Sequence, residues 1–424
     1  MEIIKRKIFN KIKDHLNKKE ISLIVGPRQV GKTTIMNEIK KYLESEGKKF
    51  IFLSLDYESD SVFFKSQEDL LRKIELTLGK EGGFVFIDEI QRKENAGLFL
   101  KGIYDLGLPY KFIVSGSGSL ELKEKINESL AGRKRDFFMD PVDFDEFVDF
   151  RTKYQYEGRL KDFFEIEKQK TFNLLKEYMN FGGYPRVILE EKENEKRNII
   201  DQIFRSCIEK DIIYLLKADR IDAFVLMIKI LASQTGQLIN YTSLATQTGL
   251  SVQSLKKYLW YAEKVFIIRM VQPFFTNKQK EITKSPIVYF TDLGLRNFSL
   301  NMFGRVENNE QLGLIFQNFI YNRMNEEMVE TLKTINFWRT KEGAEVDFIV
   351  RDGLSLLPIE VKFSNFLKPE IARSLRSFVG EYKPKEAKVV NLSLNTNETI
   401  ANTKIVFIPY YEVSISEDKK TKEE

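Results

Sequence analysis

The sequence predicts an α/β fold of several domains, with a parallel β-sheet in its first third. At 424 residues the chain is too long for one hydrophobic core, so roughly two to four domains are expected. Residues 21–25 form a short apolar run, and residues 84–87 form another that ends in the acidic pair Asp88 and Glu89. Such runs are typical of buried parallel strands, whose carboxyl ends meet at the edge of the sheet that binds ligands.

The composition excludes several classes of site. Lys and Arg number 67 against 62 Asp and Glu, so a nucleic-acid site must be a local basic patch. One cysteine, Cys207, and one histidine, His15, exclude an internal disulfide and any metal site that needs two histidines. Metal chemistry must therefore use oxygen ligands, which favours Mg²⁺ or Mn²⁺. We expect His15 itself to be solvated on a polar N-terminal helix.

The sequence also favours a cytoplasmic protein with no membrane partner. The longest apolar run, at residues 223–232, is too short to cross a bilayer and is interrupted by Lys229. The N-terminal segment is charged and amphipathic, unlike a secretion signal. A single cysteine is typical of a reducing compartment.

The stretch GPRQVGKTT, at residues 26–34, lies between the first strand and a helical pattern. Glycines at both ends of the loop let the backbone bend so that successive N–H groups face a phosphate. Lys32 would neutralise the β- and γ-phosphates as a catalytic residue, and Thr33 would offer its hydroxyl to Mg²⁺. The predicted nucleotide-binding residues of the loop are Gly26, Pro27, Arg28, Gln29, Val30, Gly31, Lys32, Thr33 and Thr34.

Two later strands end in side chains that suit the same site. Asp88 would hold Mg²⁺ through water, and Glu89 would polarise the water that attacks the nucleotide. The strand at residues 111–119 runs into small polar residues. There Ser115 or Ser117 would contact the γ-phosphate, and an ordinary turn is the alternative.

An arginine-rich stretch, LAGRKR at residues 130–135, precedes a fifth strand. A guanidinium here would stabilise transition-state charge, either in its own subunit or in a neighbouring one. Arg133 is the first choice and Arg135 the second, with a surface salt bridge as the alternative for both. A role in a neighbouring subunit implies a homo-oligomer.

The motifs GPRQVGKTT, IDEIQ and SGSGS together resemble those of prokaryotic and archaeal AAA-type ATPases related to the STAND branch. The resemblance implies a P-loop ATPase core at residues 1–140, with a parallel sheet in the order 5-1-4-3-2 and with ATP and Mg²⁺ as cofactors. Residues 141–232 are helical in pattern and are predicted to form a lid and linker. The stretches GGYP at 182–185 and IEKDI at 208–212 also resemble this group, and we assign them structural roles.

Residues 233–290 have the pattern of a winged helix. A short helix begins at 239–245, a turn follows at 248–251, and a second helix precedes two strands at 266–271 and 287–290. Polar side chains on the second helix and in the wing loop would meet DNA, with a protein–protein role as the alternative. They are Gln253, Lys256, Lys257, Lys278, Lys280 and Lys284.

In the last domain, residues 291–415, two predicted strands carry alternating charged and apolar residues. Because side chains alternate along a strand, Glu345 and Asp347 share one face, as do Glu360 and Lys362. The opposite, buried side would hold Val346, Phe348, Ile359 and Val361.

An Asp followed by Glu-x-Lys on the next strand resembles the PD-(D/E)xK superfamily, which includes restriction-endonuclease-like and Holliday-junction-resolving enzymes. The resemblance implies that Asp347 and Glu360 bind Mg²⁺ and that Lys362 orients or activates the water. One position departs from the family, because the helix that usually supplies a glutamate carries Gln317. We therefore expect weak or lost cleavage on an intact fold. A hairpin with a solvated charged face is the alternative.

Electrostatics favours a bound cation at this last site. Two unit charges about 4 Å apart repel by about 4 kcal/mol at an effective dielectric of roughly 20. A cluster of Glu345, Asp347 and Glu360 would therefore be costly unless a metal or Lys362 compensated it.

These parts together predict a Mg²⁺-dependent ATPase that acts on DNA, including branched or forked DNA, with DNA-processing proteins as further partners. ATP hydrolysis would change the angle between the ATPase core and the DNA-facing modules. The alternative is an ATP-gated, STAND-like signalling or scaffolding switch that binds proteins. A third reading, an ATP-independent nuclease, would leave the phosphate loop idle. The charged tail at 416–424 is expected to be disordered.

Overall fold

The computed structural model describes residues 2–117, 129–207, 212, 220–275, 284–306, 309–328 and 331–415. The chain divides into two compact units and passes between them more than once. The N-terminal unit comprises Met1–Val142, Tyr184–Ile221 and Leu259–Ile267. The C-terminal unit comprises Asp143–Gly183, Asp222–Tyr258 and Ile268–Glu424. The predicted lid at 141–232 is therefore divided between the two units, and the charged tail lies outside the described residues.

Helices and strands are numbered here in chain order over the described residues. The α-helices are α1 Ile8–Asp14, α2 Lys32–Ser45, α3 Glu58–Ser61, α4 Gln67–Leu78, α5 Ala96–Asp105, α6 Phe144–Arg151, α7 Leu160–Ile166, α8 Lys168–Phe181, α9 Pro185–Leu189, α10 Glu193–Ser206, α11 Ile221–Ser233, α12 Tyr241–Thr248, α13 Val252–Lys264, α14 Leu293–Ser299, α15 Asn309–Met328 and α16 Arg373–Tyr382. The strands are β1 Ile21–Gly26, β2 Phe50–Ser54, β3 Gly83–Asp88, β4 Tyr110–Ser117, β5 Lys134–Phe138, β6 Ile268–Val271, β7 Ile287–Phe290, β8 Thr334–Arg339, β9 Glu345–Asp352, β10 Ser355–Val361, β11 Glu386–Asn391, β12 Thr396–Ile400 and β13 Thr403–Pro409.

The N-terminal unit is built on a five-stranded parallel sheet in the order β2-β3-β4-β1-β5. Read from the other edge, this is the predicted order 5-1-4-3-2, so the predicted fold class is confirmed. Strands β1 and β4 are buried along their whole length, as is typical of the inner strands of a parallel sheet. Side chains such as Leu70 and Ile74 of α4 and Leu100 of α5 complete the core against this sheet.

His15 corrects one of our predictions, because it is only 4% exposed. Its Nδ1 lies 2.8 Å from the Ser22 hydroxyl and 3.2 Å from the Lys111 ammonium, and its ring packs beside Phe137. Burial, with the charges of Lys111 and Arg135, lowers the pKa of His15 to about 4. The polar residues that precede His15 do not predict this packing, because it depends on contacts with residues of β1, β4 and β5.

The GGYP stretch meets the start of α14 in the C-terminal unit. Gly182 has a φ of 74°, and a Cβ there would lie 2.5 Å from both carboxylate oxygens of Asp292. The backbone N–H of Gly183 donates to Asp292 at 2.7 Å, and so does that of Leu295. Burial raises the pKa of Asp292 to about 6. Of the second stretch, IEKDI, only Ile212 lies among the described residues, and it is fully buried.

Two short helices, α12 and α13, follow one another as predicted for residues 239–264. The Asn240 side chain caps α12 by accepting the N–H of Ser243 at 3.0 Å, and Gly249 ends it in a left-handed conformation. Strands β6 and β7 form an antiparallel pair. Lys278 and Lys280, which we placed in the loop between these strands, lie outside the described residues.

The C-terminal unit contains a six-stranded mixed sheet in the order β12-β13-β11-β10-β9-β8. Strand β11 pairs in parallel with β10 and β13, and the other pairs are antiparallel. Leu375, Phe378 and Val379 of α16 pack on the apolar core of this sheet. Phe319 of α15 contacts Phe144 of α6, with 5.3 Å between ring centroids.

Across the part of the chain that the structure describes, no helix is both long enough and apolar enough to span a membrane.

Candidate functional site

The loop between β1 and α2 needs both of its glycines. Gly31 has a φ of 98°, which favours glycine. A Cβ on Gly26 would lie 2.2 Å from the carbonyl oxygen of Met139, because β5 ends beside the loop. The loop leads directly into the fourteen-residue helix α2, whose N-terminus favours anions. This arrangement of a strand, a glycine-bounded loop and a helix N-terminus suits the binding of a phosphate.

Lys32 and Arg6 hold the backbone of this loop. The ammonium of Lys32, which is 6% exposed, donates to the carbonyls of Gly26 at 3.0 Å and Pro27 at 2.8 Å. Arg6 donates to the carbonyl of Val30 at 3.2 Å and to that of Asp140 at 2.7 Å. The contribution of Arg6 was not found from the sequence, since no local pattern relates it to a loop more than twenty residues away.

Asp88 is the centre of the candidate metal site. Its Oδ2 accepts a hydrogen bond from the Thr33 hydroxyl at 2.8 Å, and its Oδ1 accepts one from the Ser115 hydroxyl. Asp88 is 4% exposed. Three predicted residues from β3, β4 and α2 therefore meet at the carboxyl edge of the sheet. The side-chain atoms that these three residues offer to a metal ion are all oxygen atoms, and Mg²⁺ prefers oxygen ligands.

Glu89 follows β3 in a left-handed conformation, with a φ of 57°. Burial raises the pKa of its carboxyl group, an effect that the charge of Lys32 opposes and that of Asp88 reinforces. Its backbone N–H lies 3.3 Å from the Ser115 hydroxyl. The Gln91 side chain donates to Glu89 Oε2 and accepts the N–H of Ser117 at 3.1 Å. Gln91 was missed from the sequence as a site residue, although IDEIQ includes it.

Ser117 and the remaining loop residues differ in their surroundings. The hydroxyl of Ser117 is buried and has no hydrogen-bond partner among the described residues. Gln29 accepts a hydrogen bond from Arg186 at 3.0 Å. The charge of Arg28 opposes the rise in the pKa of Glu89 that burial causes. Pro27 and Val30 are buried and Thr34 is exposed.

Arg133 lies at the other edge of the sheet. It precedes β5, where Lys134 pairs with Ile21 at the start of β1, whereas the phosphate loop follows the end of β1. Its guanidinium forms an ion pair with Asp105 at 2.6 Å. Arg135 also lies towards that far edge, opposite Ser22. Neither arginine lies beside the phosphate loop of its own chain. Arg133 forms the surface ion pair that we gave as the alternative, and a role in a neighbouring subunit stays a prediction.

A second acidic site lies between β9, β10 and α15. Asp347 accepts hydrogen bonds from the Gln317 amide at 2.6 Å and from the backbone N–H of Val361 at 2.7 Å. Lys362, just beyond β10, forms an ion pair with Glu360 at 2.7 Å. Burial and then the charge of Glu360 raise the pKa of Asp347 well above its ordinary range. The structure thus brings together Gln317, Asp347, Glu360 and Lys362, four of the five residues that we had singled out here.

The carboxylates do not form the cluster of three that we expected. Glu345 forms an ion pair with Arg339 at 3.4 Å. Within the described ranges, no group of three His, Cys, Asp or Glu side chains is arranged to hold a metal ion. The expectation failed because a shared strand face does not fix where a long side chain reaches. The apolar residues Val346, Phe348, Ile359 and Val361 are buried as predicted.

Two buried oxygen atoms at this second site have no hydrogen-bond partner among the described residues: Glu360 Oε2 and the Tyr289 hydroxyl. Burial raises the pKa of Tyr289, and the charges of Asp347 and Glu345 contribute. Tyr289 was not predicted as a site residue, since β7 reads as a plain apolar strand. An unpartnered buried carboxylate oxygen fits a site for a cation.

The basic residues predicted for DNA contact are exposed on α13. Gln253, Lys256 and Lys257 all lie on its exposed side. The ammonium of Lys256 lies 5.1 Å from the centre of the Tyr241 ring. Lys284, before β7, is also exposed.

The sheet order and the loop define the N-terminal unit as a P-loop domain of the AAA type. A family model described as an AAA domain matches residues 18–148. Two further models, both described as domains of unknown function, match residues 172–305 and 312–412. The chain therefore matches an AAA domain over part of its first half and two domains of unknown function over most of the rest.

Curated relatives cover most of the chain. An uncharacterized protein of Methanocaldococcus jannaschii is 26% identical over 360 residues, which is 82% of this chain and 77% of that protein. An uncharacterized protein of Mycobacterium tuberculosis is 25% identical over 382 residues, which is 89% of this chain and 77% of that protein.

Among solved structures, this chain is similar to an Orc1 protein of Aeropyrum pernix in complex with DNA, with a TM-score of 0.32 and 12% identity, covering 69% of this chain and 91% of that one. It is also similar to AMPPCP-bound DnaA from Aquifex aeolicus, with a TM-score of 0.28 and 15% identity, covering 61% of this chain and 86% of that one. Likenesses at this level carry no argument about function.

Proposed function

We propose that the N-terminal unit binds ATP and hydrolyses it with Mg²⁺. The observation that carries this proposal is the contact between the Thr33 hydroxyl and Asp88 at 2.8 Å, directly beside the phosphate loop. Thr33 and Asp88 would hold Mg²⁺, which supplies positive charge against the β- and γ-phosphates. Their oxygen-only donor set and the glycine-bounded loop support this assignment.

In this mechanism each residue has a distinct task. The backbone N–H groups of the loop and the ammonium of Lys32 bind the phosphates, for which Lys32 must leave the carbonyls that it now contacts. Glu89 accepts a proton from the attacking water, whose oxygen bonds to the γ-phosphorus as the bond to the β–γ bridging oxygen breaks. The products are ADP and phosphate. Ser115 orients Asp88, and Ser117 offers an unpartnered hydroxyl next to the site.

Phosphate release from Mg-ATP tests this assignment. We expect steady turnover by the wild-type chain and loss of at least about a hundredfold in Lys32→Ala and Asp88→Ala. Lys41→Ala, an exposed change on the same helix α2, is the matched control and should keep wild-type turnover. Wild-type rates in Asp88→Ala would remove the catalytic assignment.

We further propose that ATP turnover serves DNA binding and processing, including on branched or forked DNA. Exposed Lys256 and Lys257 on α13 support a winged-helix contact with DNA. The second acidic site supports a nuclease-like C-terminal domain, in which Asp347 and Glu360 would hold Mg²⁺ and Lys362 would orient water. The Gln317 amide in place of a carboxylate supports weak or lost cleavage.

Salt dependence separates this proposal from an ATP-gated switch that binds only proteins. Binding to single-strand, duplex, fork and four-way DNA should weaken steeply with salt, because phosphate contacts release counterions. The double variant Lys256→Ala/Lys257→Ala should reduce both the affinity and the salt slope. Absence of DNA binding at low salt, with and without ATP, would favour the switch.

A further inference from the structure

The side chain of Gln91 connects Glu89 to the end of strand β4. Gln91 lies in the one-turn 3₁₀ helix Ile90–Arg92, which follows β3. Its amide nitrogen donates to Glu89 Oε2, and its amide oxygen accepts the N–H of Ser117 at 3.1 Å. An ionised carboxylate can only accept and a backbone N–H can only donate, so these two partners define which way the amide is turned.

The backbone of Glu89 is held in place, because its N–H lies 3.3 Å from the Ser115 hydroxyl and its carbonyl accepts the N–H of Arg92 at 3.0 Å, but neither contact orients its carboxylate. It stands just beyond the last residue of β3, in the left-handed region with a φ of 57°, outside the sheet ladder. Strand β4, by contrast, is buried over its whole length. A side chain bonded to the end of β4 therefore gives the carboxylate of Glu89 a fixed reference point.

We propose that Gln91 is a positioning residue for Glu89, which holds the carboxylate oriented against the end of β4. This inference rests on the proposed ATP hydrolysis and assigns Gln91 no contact with the nucleotide. Because Gln91 also bonds the backbone of Ser117, it joins the base to the strand that carries Ser115 and Ser117. Binding of ATP should therefore not depend on Gln91, whereas turnover should.

Two variants of Gln91 and one neighbour test this inference. Gln91→Ala removes both bonds, and Gln91→Glu keeps the size while it replaces the amide donor with a second carboxylate. Arg92→Ala is the matched control, since Arg92 lies in the same helical turn and forms an exposed ion pair with Asp56. For each protein, Mg-ATP affinity, kcat and thermal melting are measured.

We expect kcat to fall by about tenfold or more in both Gln91 variants, with Mg-ATP affinity and melting close to those of the wild type. Because Gln91→Glu keeps the size of the side chain but replaces the amide donor with a carboxylate, its loss of kcat should be at least as large as that of Gln91→Ala. Arg92→Ala should keep the wild-type kcat and Mg-ATP affinity.

An unchanged kcat in Gln91→Ala, beside an active wild type, would overturn this inference and leave the proposed ATPase intact. The same holds if the loss appears only in Mg-ATP affinity, or if Gln91→Glu keeps the wild-type kcat. A wild-type chain that binds Mg-ATP without hydrolysing it would instead overturn the proposed function, and the role of Gln91 with it.

Discussion

The side-chain amide of Gln317, on helix α15, donates a hydrogen bond to Asp347 Oδ1 at 2.6 Å. This is the helix position at which the PD-(D/E)xK resemblance implies a glutamate. The amide compensates the buried carboxylate of Asp347 without adding a negative charge. A glutamate there would instead repel Asp347 unless a cation lay between them.

The variant Gln317→Glu should therefore bind Mg²⁺ or Mn²⁺ more tightly and raise any metal-dependent cleavage. Without metal it should be less stable than the wild type, because like charges then meet in a partly buried site. Nicking of plasmid and four-way DNA and thermal melting with and without metal measure the two effects. Glu360→Gln in the same background should abolish the gain. If Gln317→Glu changes neither metal affinity nor cleavage, the site is not built as proposed.

Arg133 can be tested by mixing two inactive proteins. If it completes the site of a neighbouring subunit, Arg133→Ala should lose turnover while each chain keeps its own Lys32 and Asp88. In a mixed oligomer, some interfaces join the intact phosphate site of an Arg133→Ala subunit to the intact Arg133 of an Asp88→Ala subunit. Mixing the two proteins should therefore restore part of the phosphate release. Asp105→Ala, which removes only the ion-pair partner of Arg133, should keep wild-type turnover. Full activity in Arg133→Ala alone would leave the surface ion pair as its role.

His15 should make the N-terminal unit less stable in mild acid. The pKa of His15 is lowered to about 4, so between its ordinary value and about 4 the unfolded chain binds a proton that the folded chain does not. Stability therefore falls as pH falls through this window, by at most about 1.4 kcal/mol per pH unit from this group. Urea unfolding at about pH 7.5 and about pH 4.5 should show a larger loss for the wild type than for His15→Gln. Equal losses would show that His15 is not buried as described.

Gly182 should resist replacement much more strongly than Gly380, a glycine within helix α16. Its left-handed conformation alone costs a side chain about 1–3 kcal/mol, and the added Cβ would lie 2.5 Å from the Asp292 carboxylate. Gly182→Ala should therefore lower the melting temperature of the C-terminal unit by several degrees. Gly380→Ala is the matched control, because its new Cβ would meet no atom within 4 Å among the described residues outside its own helical turns and alanine favours the helix. A melting temperature unchanged by Gly182→Ala would contradict the packing of GGYP on Asp292.

The candidate ATP site could be predicted almost completely because its parts are short-range patterns. The glycine-bounded loop after β1 and the acidic pair after β3 can each be recognised from a few consecutive residues. Parallel strands then bring their carboxyl ends to one edge, so the meeting of Thr33 with Asp88 followed from the fold class. Gln91 escaped notice because its importance depends on the neighbouring strand β4.

The sequence by itself determined the parallel sheet with its phosphate loop and the alternation that buries Val346 and Phe348, because both depend on periodicity and local backbone geometry. Only the tertiary structure decided which distant groups meet: His15 with Lys111, Arg133 with Asp105, and Glu345 with Arg339. The physical reason is that a strand or helix pattern specifies a face, whereas the partner of a long charged side chain depends on what the rest of the chain places within its reach.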